Sequence, residues 1–191
     1  MTSLDDALAE AWELLNAGAT DRHSPFHLAK VATVTADGRP SQRTVVLRHV
    51  DPAARTLRFH TDRRSGKVAD LAANPAAAVL FYDAARQVQL RIDGTAGLHK
   101  DDAIARDAWN ASRPQSRACY LSDDGPGTPV DAPPPAPRYD EAGDDIAFGS
   151  FCAVVVGITR LEWMHLAAGG HRRARFDWSG DDGMTATWLS P

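Results

Sequence analysis

Leu4, Leu8, Trp12 and Leu15 recur at helical spacing, interleaved with Asp5, Asp6, Glu10 and Glu13. The pattern predicts an amphipathic helix over 3–17, with Ser3 and Asp6 as a capping box and Gly18 as its stop. The period then drops to two. Strands are predicted over 28–34, 41–50 and 56–61, the first pair joined through a hairpin turn at Asp37-Gly38. A polar loop over 62–66 leads into a short helix over 66–73, with Ser65 as N-cap and Asn74-Pro75 as terminator. The apolar run 76–82 reads as a strand buried on both faces. Residues 87–98 alternate as another strand, where Gly94 and Gly97 mark a bulge or a close approach. A helix follows over 101–111, with Ile104 and Trp109 as its apolar positions. A further strand spans 151–160, continued over 161–166 after a tight bend. Segments 172–178 and 184–189 form a last hairpin around residues 179–183. Many short strands with few helices predict a mostly β (α+β) fold built on a closed or nearly closed antiparallel barrel.

One segment breaks the pattern. Residues 123–145 hold Pro126, Pro129, Pro133, Pro134, Pro135 and Pro137 among acidic residues and glycines. This reads as a long mobile loop inside one domain, 1–191, because the strands on either side are too few to fold apart. The chain of 191 residues carries a net charge of −4, which argues against a nucleic-acid partner but leaves room for a local basic pocket. Its two cysteines, Cys119 and Cys152, match no metal spacing, so no metal site is expected. The acidic N-terminus lacks the apolar stretch of a signal peptide, and no apolar run is long enough to span a bilayer. A cytoplasmic location is expected.

Three segments carry candidate chemistry. In Arg43-Thr44-Val45-Val46-Leu47-Arg48, strand alternation turns Arg43, Val45 and Leu47 one way and Arg48 the other. An arginine in an apolar strand needs an anion or a carboxylate partner. In His60-Thr61-Asp62-Arg63-Arg64-Ser65-Gly66-Lys67, a strand runs through a polar loop into a helix N-terminus. Backbone N–H groups, a hydroxyl and an ammonium together suit a phosphate, although plain capping by Ser65 explains the same residues. In Arg86-Gln87-Val88, a glutamine opening a strand offers a donor and an acceptor to the edge of a heterocycle. Later, Trp163 suits either a planar ring or the core, and the run 172–175 adds basic charge.

In this order, with Asn74-Pro75, Ser112-Arg113-Pro114 and a late Trp163…Arg175-Phe176, the segments resemble the pyridoxamine 5'-phosphate oxidase-like, FMN-binding split-barrel family. The resemblance runs from about Phe26 to the C-terminus. It implies a split barrel with flanking helices and a homodimer with FMN at the subunit interface. Arg43 and Lys67 would bind the FMN phosphate, helped by Thr61 and Ser65. Thr44, Val45, Val46 and Leu47 would line the flavin ring, Gln87 would approach it, and Trp163 and Arg175 would complete the pocket. His60 takes the cofactor-side position where the family usually has a phenol.

The same resemblance exposes departures. Gly66 stands where the oxidases carry an arginine. Arg48, Trp109 and Arg113 match a lysine, a tyrosine and an arginine that hold the oxidase product. The run Arg172-Arg173-Ala174-Arg175 lacks the histidine of the oxidases' substrate motif. The expectation is a flavin-dependent oxidoreductase of unknown substrate, with Arg48, Trp109, Arg113 and Arg172 as substrate-side candidates and a small anion as substrate. No catalytic residue is nominated, because the flavin carries the chemistry. A non-enzymatic flavin-binding or sensing protein and a true oxidase are the alternatives, and a deazaflavin in place of FMN remains open.

Overall fold

The structure is a computed structural model; it describes residues 3–135, 138, 143–180 and 183–191. Helix α1 (Leu4–Thr20) opens with the expected capping box: Ser3 Oγ accepts from the Asp6 N–H at 3.1 Å and the Asp6 carboxylate accepts from the Ser3 N–H at 3.2 Å. It does not stop at Gly18. A Cβ there would lie 2.5 Å from the Phe26 carbonyl oxygen. Gly18 is thus a packing position, where the 3₁₀ turn Pro25–His27 crosses the helix and His27 Nδ1 bonds the Gly18 carbonyl at 2.8 Å.

Among the described residues there are eight strands: β1 (Leu28–Val34), β2 (Pro40–Asp51), β3 (Thr56–Asp62), β4 (Ala76–Asp83), β5 (Val88–His99), β6 (Phe151–His165), β7 (Arg172–Asp177) and β8 (Thr185–Leu189). They form one antiparallel sheet in the order β3-β2-β1-β4-β5-β6-β7-β8. The added pairing of β3 with β6, from Thr56↔Gly157 to Asp62↔Phe151, closes the first six into a barrel. The far half of β6 leaves the barrel seam and pairs with β7 instead, from Arg160↔Asp177 to His165↔Arg172.

The bend expected after residue 160 is a β-bulge, not a break. Asp93 pairs with Arg160 and Gly94 with Ile158, so Thr159 is the extra residue. Gly94 permits this approach, since a Cβ on it would lie 2.4 Å from the Gly157 carbonyl oxygen. β4 also differs from expectation. Ala77, Val79 and Phe81 face the core, while Ala76, Ala78 and Tyr82 are exposed and Leu80 half-buried. Its second face is apolar yet uncovered within one chain.

Helix α2 (Gly66–Ala73) has the expected bounds. Helix α3 (Ala103–Asn110) is shorter than the expected 101–111, being capped by Asp102, whose side chain accepts from the Ala105 N–H at 2.9 Å. Trp109 on α3 is fully buried, but Ile104 is exposed. Two short helices follow, α4 (Pro114–Arg117) and α5 (Asp144–Gly149). Ala147 and Phe148 of α5 join Ala105, Ala108 and Trp109 of α3 and Phe151 of β6 in a second apolar cluster beside the barrel core. Of the proline-rich segment, residues 136, 137 and 139–142 lie outside the described residues, as do Asp181 and Asp182 of the last hairpin turn. No described helix is long and apolar enough to cross a membrane.

Candidate functional site

Strand β3 delivers Thr61 to the N-terminus of α2. Thr61 and Ser65 are both buried, and their hydroxyl oxygens lie 3.2 Å apart. Ser65 occupies the N-cap position, but its side chain makes no capping bond. The first-turn N–H groups of α2 therefore lack a side-chain acceptor and keep their pull on an anion. Lys67 Nζ donates to Thr61 Oγ1 at 2.9 Å. From β2, Arg43 donates to Thr33 Oγ1 and Ser41 Oγ, each at 2.8 Å, and lies 3.6 Å from an Asp70 carboxylate oxygen. Burial and the Arg43 guanidinium push the Lys67 ammonium below its usual range, against the opposing pull of Asp62 and Asp70. Two cations close enough to disfavour each other, four hydroxyls and a helix N-terminus make a site that an anion would relieve. Thr33, Ser41 and Asp70 were not foreseen as part of it.

A cavity of about 560 Å³ opens beyond the other end of β2. Leu47 pairs with Phe59 and His49 with Arg58, so Arg48 is a bulged residue pushed out of the ladder. Arg48 and the Arg113 side chain line this cavity as exposed members, and Arg58 and His60 as half-buried ones. None of the three arginine side chains has a hydrogen bond or ion pair among the described residues, and the His60 Nε2 and Arg58 Nε atoms are buried without partners. Burial, then the charges of Arg58 and Arg48, lowers the His60 imidazole to about 3, so it is neutral. Alternation along β3 separates it from Thr61: His60 serves the cavity and Thr61 the phosphate-suited end. Trp109 does not line the cavity. Its indole N–H donates to Asp144 Oδ2 at 3.0 Å and Arg117 stacks 4.9 Å over its ring.

The remaining candidates lie elsewhere. Gln87 does not open β5 but sits in the β4–β5 turn with φ of +56°, exposed, its carbonyl accepting from the Leu166 N–H at 2.8 Å. Trp163 on β6 is buried, and its Nε1–H donates to Glu10 Oε2 at 2.9 Å. With Arg86, His165 and Arg172 it borders a second cavity of about 460 Å³. Arg175 is on β7, opposite Glu162. Helix α1 links the regions: Glu10 borders the second cavity and Ala19 the first. Nine residues of helix put them about 14 Å apart. One chain therefore brings Arg43, Thr61, Ser65 and Lys67 together at one end of β2 and Arg48, His60 and Arg113 at the other. It does not bring Gln87, Trp163, Arg172 or Arg175 to them.

The described residues contain no cluster of His, Cys, Asp and Glu fit for a metal. Cys152 is buried and its thiol pushed up to about 11 by that burial, which leaves it a packing residue and not a nucleophile. The arrangement suits binding and orienting anions.

Comparison with known proteins bears on this arrangement. Residues 21–139 match the profile of the pyridoxamine 5'-phosphate oxidase family. A pyridoxine/pyridoxamine 5'-phosphate oxidase of Burkholderia vietnamiensis is 46% identical over 84 residues, which are 44% of this chain and 37% of that protein. The match thus spans little more than a third of the relative's length. Among solved structures, a pyridoxamine 5'-phosphate oxidase-related, FMN-binding protein of Nostoc punctiforme superposes with a TM-score of 0.75 at 21% identity, covering 96% of both chains. PhzG of Burkholderia lata, solved with tetrahydrophenazine-1-carboxylic acid, gives 0.74 at 20% identity, covering 100% of this chain and 97% of its own. These two likenesses concern the fold. The match over 21–139 embraces β1 to β5, the turn into α2 and both ends of β2, and on it the chain belongs to the pyridoxamine 5'-phosphate oxidase family.

Proposed function

We propose that this protein is an FMN-binding, flavin-dependent oxidoreductase that works as a homodimer on a small anionic substrate. The observation that carries the reading is the half-buried Lys67 beside Arg43, with the Ser65 hydroxyl, which makes no capping bond, and the N-terminus of α2 around them. These residues fit the phosphate of FMN: each supplies a donor, and the mutual repulsion of the cations falls when a dianion arrives. The strand between Arg43 and Arg48 runs beside that end, and its Thr44 to Leu47 backbone is the segment suited to the flavin ring. Bound FMN would supply hydride and electron transfer. The protein's own residues bind, orient and exclude water.

Two features support a dimer. Gln87, Trp163 and Arg175 sit away from Arg43 and Lys67 within one chain, and a second copy would bring its own set to the first. The outward face of β4, with Ala76, Ala78, Leu80 and Tyr82, is an apolar patch of the kind that another chain covers; it is bordered on β1 by Leu28 and Ala32, with Lys30 between them opposite Leu80. The free Cys119 and Cys152 agree with a reducing, cytoplasmic setting.

True pyridoxamine 5'-phosphate oxidation ranks below this reading, because the Trp109 indole is spent on Asp144 and Arg48 replaces a lysine's compact charge. A flavin-binding protein without turnover is the other competitor. It shares the cofactor but predicts no reoxidation of reduced protein by a defined acceptor.

The first test is the absorption spectrum of freshly purified protein and the identity of the released ligand. A flavin spectrum with FMN released is expected; a colourless protein that does not take up added FMN overturns the reading. Release of a deazaflavin instead would replace FMN with that cofactor. Lys67→Ala is expected to weaken FMN binding by about 1.5–3 kcal/mol, the scale for hydrogen bonds to charged groups. The apoprotein should keep its thermal midpoint, since the variant removes one of two repelling cations.

A further inference from the structure

The cavity beyond Arg48 contains a group that no part of the reading above has used. Arg58 on β3 is half-buried, its Nε is out of solvent and unpartnered, and it reaches no carboxylate at ion-pair distance. Other arginines of this protein behave differently. Arg63 meets Asp101, Arg64 meets Asp62, Arg117 meets Asp144, Arg160 meets Asp177 and Arg173 meets Glu162. Arg48, Arg58 and Arg113 converge on one cavity with no such partner. Asp107 on α3 faces Arg58 only at longer range, and among the described residues the exposed Asp21 is the only carboxylate on the cavity wall. His60, between Arg48 and Arg58, adds a polar atom without adding charge. A partly desolvated guanidinium left unpaired is costly, and the cost is removed by an anion that meets it with hydrogen bonds.

We propose that Arg58 and His60 form a second anion-recognition point in this cavity, so that the ligand is a small organic acid carrying at least two negative charges. The inference rests on the reading of the cavity as the substrate side of the site. One negative charge is served by Arg48 and Arg113 at the exposed part of the cavity. The other is held deeper, where Arg58 offers its guanidinium fork and His60 its unpaired Nε2. A monoanion would leave one of these groups unpartnered. Two sources share this chemistry: a dicarboxylate, with its charges on separate carbons, and a phosphate monoester, with both on one group.

Calorimetric titration of the purified full-length protein with benzoate, isophthalate and phenyl phosphate tests the proposal. At least one of the two dianions should bind tenfold or more tightly than benzoate, and which one does so distinguishes the two sources. Arg58→Met should weaken that dianion at least tenfold and change benzoate less than threefold, while Arg39→Gln, an exposed turn variant, should change neither. Arg58→Lys, which keeps the charge, should retain a preference for the dianion and covers the case in which Arg58→Met fails to fold. Equal binding of benzoate and both dianions overturns the proposal, as does an Arg58→Met protein that still prefers the dianion. FMN binding, followed in parallel by quenching of flavin fluorescence, separates the two claims. Unchanged FMN affinity with no dianion preference sinks this inference alone, whereas dianion preference in a protein that takes up no FMN supports it and sinks the cofactor reading.

Discussion

His60 combines a ring packed edge-on to Phe151 at 4.9 Å, a buried Nε2 and two guanidinium neighbours. Arg48 on β2 and Arg58 on its own strand are the charges around it, Asp107 on α3 faces Arg58, and the half-buried Tyr120 lies nearby with its phenol pushed upward by burial. The native imidazole is lowered to about 3 from an ordinary 6.5, so the unfolded chain takes up a proton between these values and the native protein does not. Stability is then highest above pH 6.5 and is lost as the pH falls, with a limiting slope of about 1.4 kcal/mol per pH unit. The shifted carboxylates Asp37, Asp102 and Asp177 act in the same direction but only below 3.8, so the window from 6.5 to 4.5 isolates the histidine. Urea unfolding of wild type should show this loss across that window, and His60→Phe should flatten it. An equal slope in both proteins would mean that His60 is charged in the native state. The sequence places His60 one residue before Thr61, and the resemblance assigns both to the cofactor. Strand alternation alone already puts them on opposite faces, and the same alternation ties Arg58 to His60, so that part of the site was legible and went unread.

Elements whose signal is local were legible almost to the residue. The capping box of α1, the Asp37-Gly38 turn and the bounds of α2 depend on neighbours a few positions apart. The misread elements depend on partners far along the chain. Gly18 looks like a helix stop by propensity, and the helix continues because Phe26 packs its backbone onto the missing side chain. Thr159 looks like a bend, and it is a bulge because β5 brings Gly94 against Gly157. β4 reads as doubly buried because its apolar run is unbroken, and a single chain cannot reveal what covers the second face. Thr33 meets Arg43 through the pairing of β1 with β2, and Asp70 meets it through the packing of α2 on β1. Gly18→Ala makes the tertiary claim measurable. Helix propensity favours alanine by about 1 kcal/mol. The new methyl would meet the Phe26 backbone at 2.5 and 2.6 Å, atoms that cannot swing aside. Overpacking of this kind costs about 1–3 kcal/mol, so a lowered denaturation midpoint is expected. A raised midpoint would show that Gly18 is a tolerated helix residue and not a packing requirement.

The whole molecule has a net charge of −4, yet its candidate cofactor and substrate surfaces are cationic. Acidic side chains keep the rest of the surface soluble while anions are drawn to one strand. That strand, β2, carries the phosphate-suited cluster at Arg43 and the arginine-lined cavity at Arg48; β1 adjoins it in the sheet, and β4, with its apolar outward face, lies beyond β1. An interface on these faces would cover apolar side chains and bring a partner's Gln87, Trp163 and Arg175 towards the first chain's Arg43 and Lys67. Oligomerisation and cofactor binding are therefore predicted to fail together. Ala78 is exposed near the middle of β4, with its Cβ directed away from the barrel core, so Ala78→Glu leaves the core untouched while placing a charge on the apolar patch. Light scattering should report a dimer for wild type and a monomer for Ala78→Glu, with matching far-ultraviolet circular dichroism. FMN affinity of the monomer should fall at least tenfold although no residue assigned to the cofactor has changed. A monomeric variant that binds FMN as tightly as wild type would mean that Arg43, Thr61, Ser65 and Lys67 suffice within one chain, and that Trp163 and Arg175 belong to the barrel's packing instead of the cofactor's pocket.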